Sequence, residues 1–258
     1  MFRTENFTKS IHRRIFEGIF KFAGQLRNVE LSKKEWGLGG NASVSHQPAV
    51  DLREAIEYDL AREKDFDYSS RPVSEIINHL ARFIADLWQI HPFREGNTRT
   101  TAVFLIKYLR SMGIPATNDM FKVHFWYFRN ALVRASYKDL NITPTTEFVE
   151  RFLRNVILGE NNELRNRDML VGASLPKPTS QGIIASAPKS QFDTLNCTLE
   201  ELAVLRVIEN NPKSTQTEIA KSIKKSASTV KRITASLVEK GILIRRNGRR
   251  NGWWEILK

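Results

Sequence analysis

The sequence predicts a mainly α-helical protein that ends in a second, smaller α+β domain. Apolar residues recur every three or four positions in most segments between residues 8 and 160, which is the spacing of amphipathic helices. The stretch 171–192 is rich in Pro, Gly, Ser and Ala and lacks this spacing, as expected of a linker. Three shorter helical patterns and a hairpin pattern follow it. We therefore predict a first domain over 1–170 and a second domain over 193–258.

The composition limits the classes of partner and compartment. Of the 258 residues, 41% are hydrophobic, which suffices for one substantial core and a smaller second one. The 40 Lys and Arg exceed the 28 Asp and Glu by 12, which favours anionic partners, although general solubility would also explain it. The single cysteine, Cys197, excludes an internal disulfide, and no apolar run approaches the roughly 18 residues of a membrane span. The expectation is a soluble cytoplasmic protein without a membrane partner.

Two helices separated by an extended segment are predicted for the N-terminal region. Residues 8–24 have helical spacing, and His12 within them is expected to pack or cap rather than to bind a ligand. Residues 26–31 alternate apolar and polar as a short strand does, whereas residues 32–47 contain many Gly, Ser and Asn. A polar amphipathic helix is predicted over 49–63.

Two apolar helices flank a short polar loop at the centre of the first domain. They are predicted over 74–90 and 100–112, and Pro92 and Gly96 interrupt the helical pattern between them. The loop therefore brings a histidine, a carboxylate, a glycine, an asparagine and an arginine to the start of a buried helix.

The remaining helices of the first domain are predicted over 121–136 and 145–158. Phe121, Phe125 and Phe128 form an aromatic stripe at helical spacing in the first of them. We predict that this stripe lies in the core rather than on a surface that stacks on a base.

The second domain is predicted to contain three helices and a hairpin. The helices cover 198–209, 217–223 and a stretch from Ser226 to Gly241, and the hairpin covers 242–257. Thr198 is placed as an N-cap with Glu201 three positions later, which is the pattern of a capping box. The hairpin turn is expected at Asn247-Gly248 or at Asn251-Gly252.

The side chains of the central loop suit the chemistry of phosphate groups. Gly96 lets backbone N–H groups approach an anion at a helix start. Asn97 and Arg99 add an amide and a guanidinium donor for phosphate oxygens. Glu95 is a hard oxygen ligand for Mg²⁺, which proteins hold through one or two carboxylates and substrate phosphates. His91, with an ordinary pKa of about 6.5, can accept a hydroxyl proton near neutral pH.

The loop also resembles a family signature. His91-Pro92-Phe93-Arg94-Glu95-Gly96-Asn97-Thr98-Arg99 is similar to the H-x-F-x-[D/E]-G-N-x-R motif of Fic-domain proteins at every fixed position, with Thr98 where glycine is commonest. The resemblance extends to the segments 11–16, 22–27 and 31–34 and covers roughly residues 8–160. It implies a helical Fic domain with a small β-hairpin flap over 32–47 that holds a target segment by main-chain pairing. The competing interpretation is an ordinary loop with a capping His91 and a solvated Arg99.

The resemblance implies an enzyme. Most Fic proteins transfer the AMP moiety of ATP to a Ser, Thr or Tyr hydroxyl of a target protein, so it implies an Mg²⁺-dependent protein adenylyltransferase with ATP as co-substrate. His91 would be the catalytic base and Glu95 the metal ligand. The implied nucleotide-binding residues are Gly96, Asn97, Thr98, Arg99, Lys33 and Lys34, and the two lysines are equally explained as exposed turn residues.

Two departures from the family pattern bear on activity and its control. Ala102 occupies the position where many members have a second arginine that contacts the terminal phosphate. The inhibitory pattern [S/T]-x-x-x-E-[G/N] has no full match, since residues 146–150 fit but Arg151 does not. We therefore expect no inhibitory helix of the usual type, and transfer of UMP, phosphate or phosphocholine stays open.

The three helices and hairpin of the second domain resemble a winged helix-turn-helix. This implies a third helix in a DNA major groove and a hairpin that contacts phosphates or a minor groove. The candidate DNA-binding residues are Ser228, Thr229, Lys231, Arg232, Arg245, Arg246, Arg249 and Arg250. Winged helices also dock proteins, so the alternatives are a protein-binding tail, or a DNA-binding transcriptional regulator whose Fic domain senses nucleotide or transfers another phosphate-containing group. A homodimer is left open.

Overall fold

The structure is a computed structural model that describes residues 5–40, 42–140, 142–171, 196–247 and 252–257. The described residues fall into two units. The first contains those of 1–66, 77–111 and 115–187, and the second contains those of 67–76, 112–114 and 188–258. All but the first residue of the predicted linker 171–192 lies outside the described residues.

The first unit is helical, as predicted. Its α-helices within the described ranges are α1 (Glu5–Phe16), α2 (Leu52–Lys64), most of α3 (Val73–Ile90), α4 (Asn97–Ser111), α5 (Asp119–Val123), α6 (Phe125–Ser136) and α7 (Glu147–Leu158). The core centres on α3 and α4, where Leu80, Ile84 and Trp88 of α3 are fully buried at four-residue spacing. Phe104 and Leu105 of α4 are equally buried, so the loop between the two helices starts and ends in the core.

The strand prediction over 26–31 was wrong. This segment has no regular secondary structure, and the Arg27 N–H donates to the carbonyl of Pro92 at 2.9 Å instead of to a partner strand. Helix α1 also ends at Phe16 rather than near Gly24, because residues 17–24 form turns in which Gly18 and Gly24 have φ of 79° and 77°. Apolar spacing and alternation therefore predicted the wrong backbone conformation for residues 17–24 and 26–31.

The flap segment 32–47 is a turn with little pairing across it. Its one regular element among the described residues is a 3₁₀ turn at Trp36–Leu38, and the Glu35 N–H donates to the Ala42 carbonyl at 2.9 Å. The Glu35 carbonyl accepts from Leu38 and Gly40, so the chain reverses within a few residues and leaves no room for a β ladder.

The helix predicted over 121–136 is divided at His124 into α5 and α6. His124 has φ −111° and ψ 30°, which is outside the helical region. Phe121 and Phe128 are buried and each lies 5.0 Å from the ring of Phe152 in α7, as predicted for a core stripe. Phe125 is the exception, since it starts α6 at the edge of a cleft.

The second unit has the predicted helices and hairpin. They are α8 (Leu199–Asn210), α9 (Gln216–Ile223), α10 (Ala227–Glu239), β1 (Leu243–Arg246) and β2 (Trp253–Ile256). The Thr198–Glu201 capping box is confirmed, with both reciprocal hydrogen bonds present. The antiparallel register pairs Arg246 with Trp253. The predicted turn dipeptides Asn247-Gly248 and Asn251-Gly252 each include a residue of 248–251, which lie outside the described residues. Within the described ranges, every helix is too short or too polar to cross a bilayer.

Candidate functional site

The loop between α3 and α4 depends on unusual backbone conformations at both ends. His91 has φ 52°, in the left-handed region that non-glycine residues rarely adopt. Gly96 has φ 82°, and a Cβ at this position would lie 2.4 Å from the ring of Phe16. The loop therefore requires a glycine at 96 for both conformation and space.

Asn97 fixes the loop with its side chain. Its Oδ1 accepts from the Phe93 N–H at 2.9 Å, and its Nδ2 donates to the Phe93 carbonyl at 2.7 Å. Thr98 is also turned inward, because its Oγ1 accepts from Trp88 Nε1 at 3.0 Å. The side chains of both residues are thus engaged within the protein, and they reach an anion chiefly through the backbone N–H groups of the α4 start.

His12 supports the loop from α1. Its Nε2 donates to the Glu95 carbonyl at 3.0 Å, its Nδ1 accepts from the Gly24 N–H at 2.9 Å, and its ring stacks on Phe93 at 3.9 Å. Burial lowers the pKa of His12, which keeps the ring neutral and fixes this pattern of one donor and one acceptor. The expectation that His12 packs or caps is confirmed.

Arg27 connects the loop to the end of the flap. Its Nε donates to the His91 carbonyl at 2.7 Å, and its Nη2 donates to the Gln47 carbonyl. The residue is 2% exposed, so this guanidinium acts as a buried structural clamp. Sequence reasoning included Arg27 only in a resembling segment and did not find this role, because its partners are 64 and 20 positions away.

His91 presents one ring nitrogen as an acceptor. Its Nδ1 lies 3.1 Å from the Trp88 carbonyl, and because a carbonyl only accepts, Nδ1 carries the ring proton. Burial lowers the pKa of His91 to about 3, and the neighbouring His46, Lys33 and Arg129 act in the same direction. The imidazole is therefore neutral near pH 7, with the lone pair on Nε2.

His91 lies in a cleft of about 590 Å³. The lining residues are Leu31, Ser32, Lys33, His46, His91, Arg94, Glu95, Gly96, Asn97, Thr98, Arg99, Phe125, Trp126 and Arg129. Four of them are lysine or arginine and one is a carboxylate, so the cleft suits a polyanion. Phe125 and Trp126 add aromatic surface at its rim, and Trp126 is 63% exposed.

Glu95 is the carboxylate of this cleft. Its side chain is half exposed, with Lys33 Nζ at 3.8 Å and Arg99 Nη2 at 4.0 Å. No group of three or more metal-binding side chains occurs among the described residues. A single carboxylate beside an anion site fits Mg²⁺, which takes its other ligands from substrate phosphates and water.

Of the two predicted lysines, Lys33 belongs to the cleft and Lys34 does not line it. Arg129, which the sequence did not indicate, lines the cleft and forms a two-pronged ion pair with Glu35 of the flap at 2.5 and 2.9 Å. The Glu35 side chain is 1% exposed, so the pair holds the flap turn against α6. No sequence signal identified this pair, because 94 positions separate its members.

The partial inhibitory pattern at 146–150 does not reach this cleft. Glu150 accepts from Asn78 at 2.9 Å and from Thr146 at 2.6 Å. Among the ion pairs of the described residues, Arg99 on the first turn of α4 has Glu95 of the preceding loop as its partner.

The predicted DNA-contacting residues of α10 lie on its first turns. Ser228, Lys231 and Arg232 are exposed, and Thr229 is partly exposed. Arg232 Nη2 lies 3.5 Å from Glu200, so part of its charge is balanced within the unit. Lys231 on the same face is exposed and forms no ion pair among the described residues.

The predicted hairpin arginines have different surroundings. The Arg245 guanidinium stacks 4.7 Å above the Trp254 ring, and Arg246 pairs with Glu255 across the two strands at 2.5 Å. Arg249 and Arg250 lie outside the described residues.

Comparison with known proteins finds two family models that match parts of this chain. Residues 3–109 match the model described as "Fic/DOC family", and residues 201–244 match that described as "Winged helix-turn-helix DNA-binding". The chain is similar to the probable protein adenylyltransferase y4lH of Sinorhizobium fredii, with 29% identity over 133 residues, 51% of this chain and 65% of that protein. It is also similar to the protein adenylyltransferase VbhT of Bartonella schoenbuchensis, with 28% identity over 106 residues, 41% of this chain. That match spans 20% of VbhT. This chain therefore covers less than two thirds of the length of each of these two relatives.

Two solved structures are also similar to this chain. They are N-terminal Fic domains of effector proteins, Bep8 of Bartonella sp. 1-1C and a Bep protein of Bartonella sp. AR 15-3. The TM-scores are 0.46 and 0.45 at 18% and 19% identity. Each match covers 60% of this chain, and they cover 73% and 70% of those chains.

Proposed function

We propose, from the match of residues 3–109 to the Fic/DOC family model, that the protein transfers the AMP moiety of ATP to a Ser, Thr or Tyr hydroxyl of a target protein. The observation that carries the proposal is the position of His91, a neutral imidazole with Nε2 as acceptor. It lines a cleft together with four cationic side chains and the N-terminus of α4. A base beside an anion site is what nucleotidyl transfer to a hydroxyl requires. The two relatives named protein adenylyltransferase support the same reaction.

In this proposal the phosphates of ATP lie against the start of α4. The N–H groups of residues 97–99 begin α4 and have no carbonyl partner within the helix, and the side chains of Arg99 and Lys33 add charged donors beside them. The Gly96 N–H donates to Glu95 Oε1 at 3.1 Å. Asn97 contributes by fixing the loop, since its Oδ1 and Nδ2 both form hydrogen bonds with the backbone of Phe93. Lys34 does not line the cleft, so we assign it no contact with ATP.

The transfer step begins at Nε2 of His91. It takes the proton of the target hydroxyl while that oxygen forms a bond to the α-phosphorus of ATP. The bond from the α-phosphorus to the β-phosphate bridging oxygen breaks, and pyrophosphate leaves with the electron pair. The negative charge of bound ATP raises the pKa of His91 from about 3, so the base becomes stronger when the nucleotide is present.

Glu95 would hold Mg²⁺ on the phosphate side of the cleft, and the ion would neutralise charge on the phosphates. Before the nucleotide binds, Lys33 and Arg99 lie 3.8 and 4.0 Å from this carboxylate. We propose that these two cations contact the phosphates once ATP is bound.

The experiment that tests this function compares the wild type with His91→Ala. Both proteins are incubated with ATP labelled at the α-phosphate, Mg²⁺ and a cell lysate, and label on protein is measured. We expect a loss of at least about 100-fold in His91→Ala, which is the typical contribution of a general base. His124→Ala serves as the control, because His124 does not line the cleft. Equal labelling by wild type and His91→Ala would reject the proposal.

A second function is proposed for the second unit, on its own family match. We propose that residues 201–244 contact DNA through α10, with exposed Lys231 and Ser228 at the face that a major groove would receive. The basic hairpin would then lie near the phosphate backbone. The unit would bring the transferase to a site on DNA. Alternatively, nucleotide binding in the first unit would regulate DNA binding by the second.

A further inference from the structure

His46 lies directly against His91 in the lining of the cleft. The two imidazole rings are stacked with centroids 3.9 Å apart and planes at 22°. His46 also meets the Trp88 ring edge-on at 5.9 Å, so His91 lies against His46 and Trp88 together. Nothing in the sequence indicated His46, which lies 45 positions before its partner at the end of the flap.

The hydrogen bond that His46 makes with Gln89 shows that its other ring nitrogen, Nε2, is an acceptor. Nδ1 lies 3.1 Å from the Gln89 carbonyl, so Nδ1 carries the ring proton. Burial lowers the pKa of His46, which keeps the ring neutral and leaves Nε2 as an acceptor. Nε2 is buried and has no partner, and among the described cleft-lining side chains it is the one polar atom in this condition. A buried acceptor without a donor is costly, so a donor from a bound molecule would be favoured there.

A groove next to the cleft indicates which molecule brings that donor. His46 lines both the cleft and this groove, which is bounded by Gln47, Pro48, Tyr58 and the acidic side chains named next. The acidic residues are Asp51, Glu54, Asp59 and Asp86, against one arginine, Arg62. Four carboxylates repel the phosphates of a nucleotide but not a polypeptide. His46 lines both the groove and the cleft, whereas His91 lines the cleft alone, so His46 lies where the two meet.

We propose that His46 is a positioning residue for the transfer reaction, and this rests on the proposed function. Its Nε2 accepts a hydrogen bond from an N–H or O–H of the target segment that enters along the groove. Its ring, stacked on His91, holds the base in the plane in which Nε2 of His91 meets the target hydroxyl. His46 itself takes no proton, since its Nδ1–H stays on the Gln89 carbonyl.

Two substitutions separate the two parts of this role. His46→Phe keeps a ring that can stack on His91 but removes the acceptor. His46→Gln keeps an acceptor oxygen but removes the ring. His124→Phe is the matched control, because it makes the same exchange at a histidine outside the cleft.

The full-length variants are given ATP labelled at the α-phosphate with Mg²⁺, and two products are measured. Release of AMP to water needs the base but no target, whereas label on lysate proteins needs both. For His46→Phe we expect label on protein to fall about tenfold, the cost of one lost hydrogen bond, while AMP release stays within about threefold. For His46→Gln we expect AMP release to fall as well. Equal loss of both products in His46→Phe, or no loss in either variant, overturns the proposal.

A spectroscopic measurement keeps the two proposals distinguishable. If the wild type yields neither product, the proposed function fails, and ¹⁵N NMR of the imidazole rings still tests the positioning. We expect the Nδ1–H signal of His91 to persist in His46→Phe and to be lost or averaged in His46→Gln. The same signal in wild type and His46→Gln would show that the stack does not position His91, which overturns the inference.

Discussion

At the residue scale, the neighbours of the proposed base, His91, fix its tautomer and its orientation. The Trp88 carbonyl fixes the proton on Nδ1 of His91, and the Arg27 side chain holds the His91 carbonyl while the backbone adopts φ 52°. Strained backbone of this kind persists only where several contacts enforce it. The low pKa of His91 follows from burial, with His46, Lys33 and Arg129 acting in the same direction, and the negative charge of ATP would oppose it.

Gly96→Ala tests how strictly the loop is specified. The added Cβ would lie 2.4 Å from the Phe16 ring, and φ of 82° adds backbone strain. We expect a loss of about 2–4 kcal/mol in the free energy of unfolding, measured by urea denaturation. Gly113→Ala is the control, because Gly113 has φ 83° with nothing within 4 Å, so it should cost only about 1 kcal/mol of strain. Equal losses would show that the contact with Phe16 does not matter.

Which residues could be predicted depends on how far apart their partners lie. His91, Glu95 and Arg99 lie within nine consecutive residues, so the sequence indicated them as a group, and all three line one cleft. The partners of Asn97 lie four positions away, yet the sequence predicted a phosphate donor where the structure shows a loop clamp. His46 joins the site only through folding, so no local pattern could have indicated it.

At the element scale, the flap is held by a buried ion pair. Arg129 of α6 is 12% exposed at its side chain and Glu35 is 1% exposed. We expect Arg129→Met to lower the free energy of unfolding by about 3 kcal/mol, because it leaves a buried carboxylate without its partner. Urea denaturation followed by the fluorescence of the tryptophans measures this loss.

Two further variants test the explanation. The double variant Glu35→Met with Arg129→Met should recover more than half of the loss, since no buried charge remains. Arg165→Met, which removes a half-exposed partner of Glu163, should change stability by less than about 0.5 kcal/mol. If Arg129→Met and Arg165→Met behave alike, the pair does not hold the flap.

The helices were easier to predict than the segments between them. The apolar face of α3 repeats at helical spacing, so its position followed from local sequence. The segments 26–31 and 32–47 take their conformation from distant groups, namely the Pro92 carbonyl and Arg129. Alternating polarity in 26–31 therefore had no partner strand to pair with, and the strand prediction failed for that reason.

At the scale of the whole molecule, the excess of 12 positive charges is compatible with two anionic partners. The first unit offers a cation-lined cleft, and the second offers the exposed face of α10. The sequence predicted both units, because each carries its own pattern of helices and its own resemblance. The domain boundaries stay a prediction, since the segment between the units lies outside the described residues.

The DNA proposal predicts salt-dependent binding by the full-length chain. With a random-sequence duplex as probe, we expect affinity to fall steeply between about 50 and 200 mM salt. Lys231→Ala should weaken binding and reduce the salt slope by about 1, whereas Lys107→Ala on α4 of the first unit should not. Fluorescence anisotropy measures both quantities. Binding that is insensitive to salt, or absent at low salt, would favour a protein-docking role for this unit.

The most direct test of the central claim compares ATP labelled at the α-phosphate with ATP labelled at the γ-phosphate. Wild-type protein and His91→Ala are each incubated with either nucleotide, Mg²⁺ and a cell lysate, and label on protein above that of the lysate alone is counted. The account predicts label from the α position alone, present with wild type and absent with His91→Ala. Label from the γ position would contradict it, because it would show phosphate transfer rather than AMP transfer by this cleft.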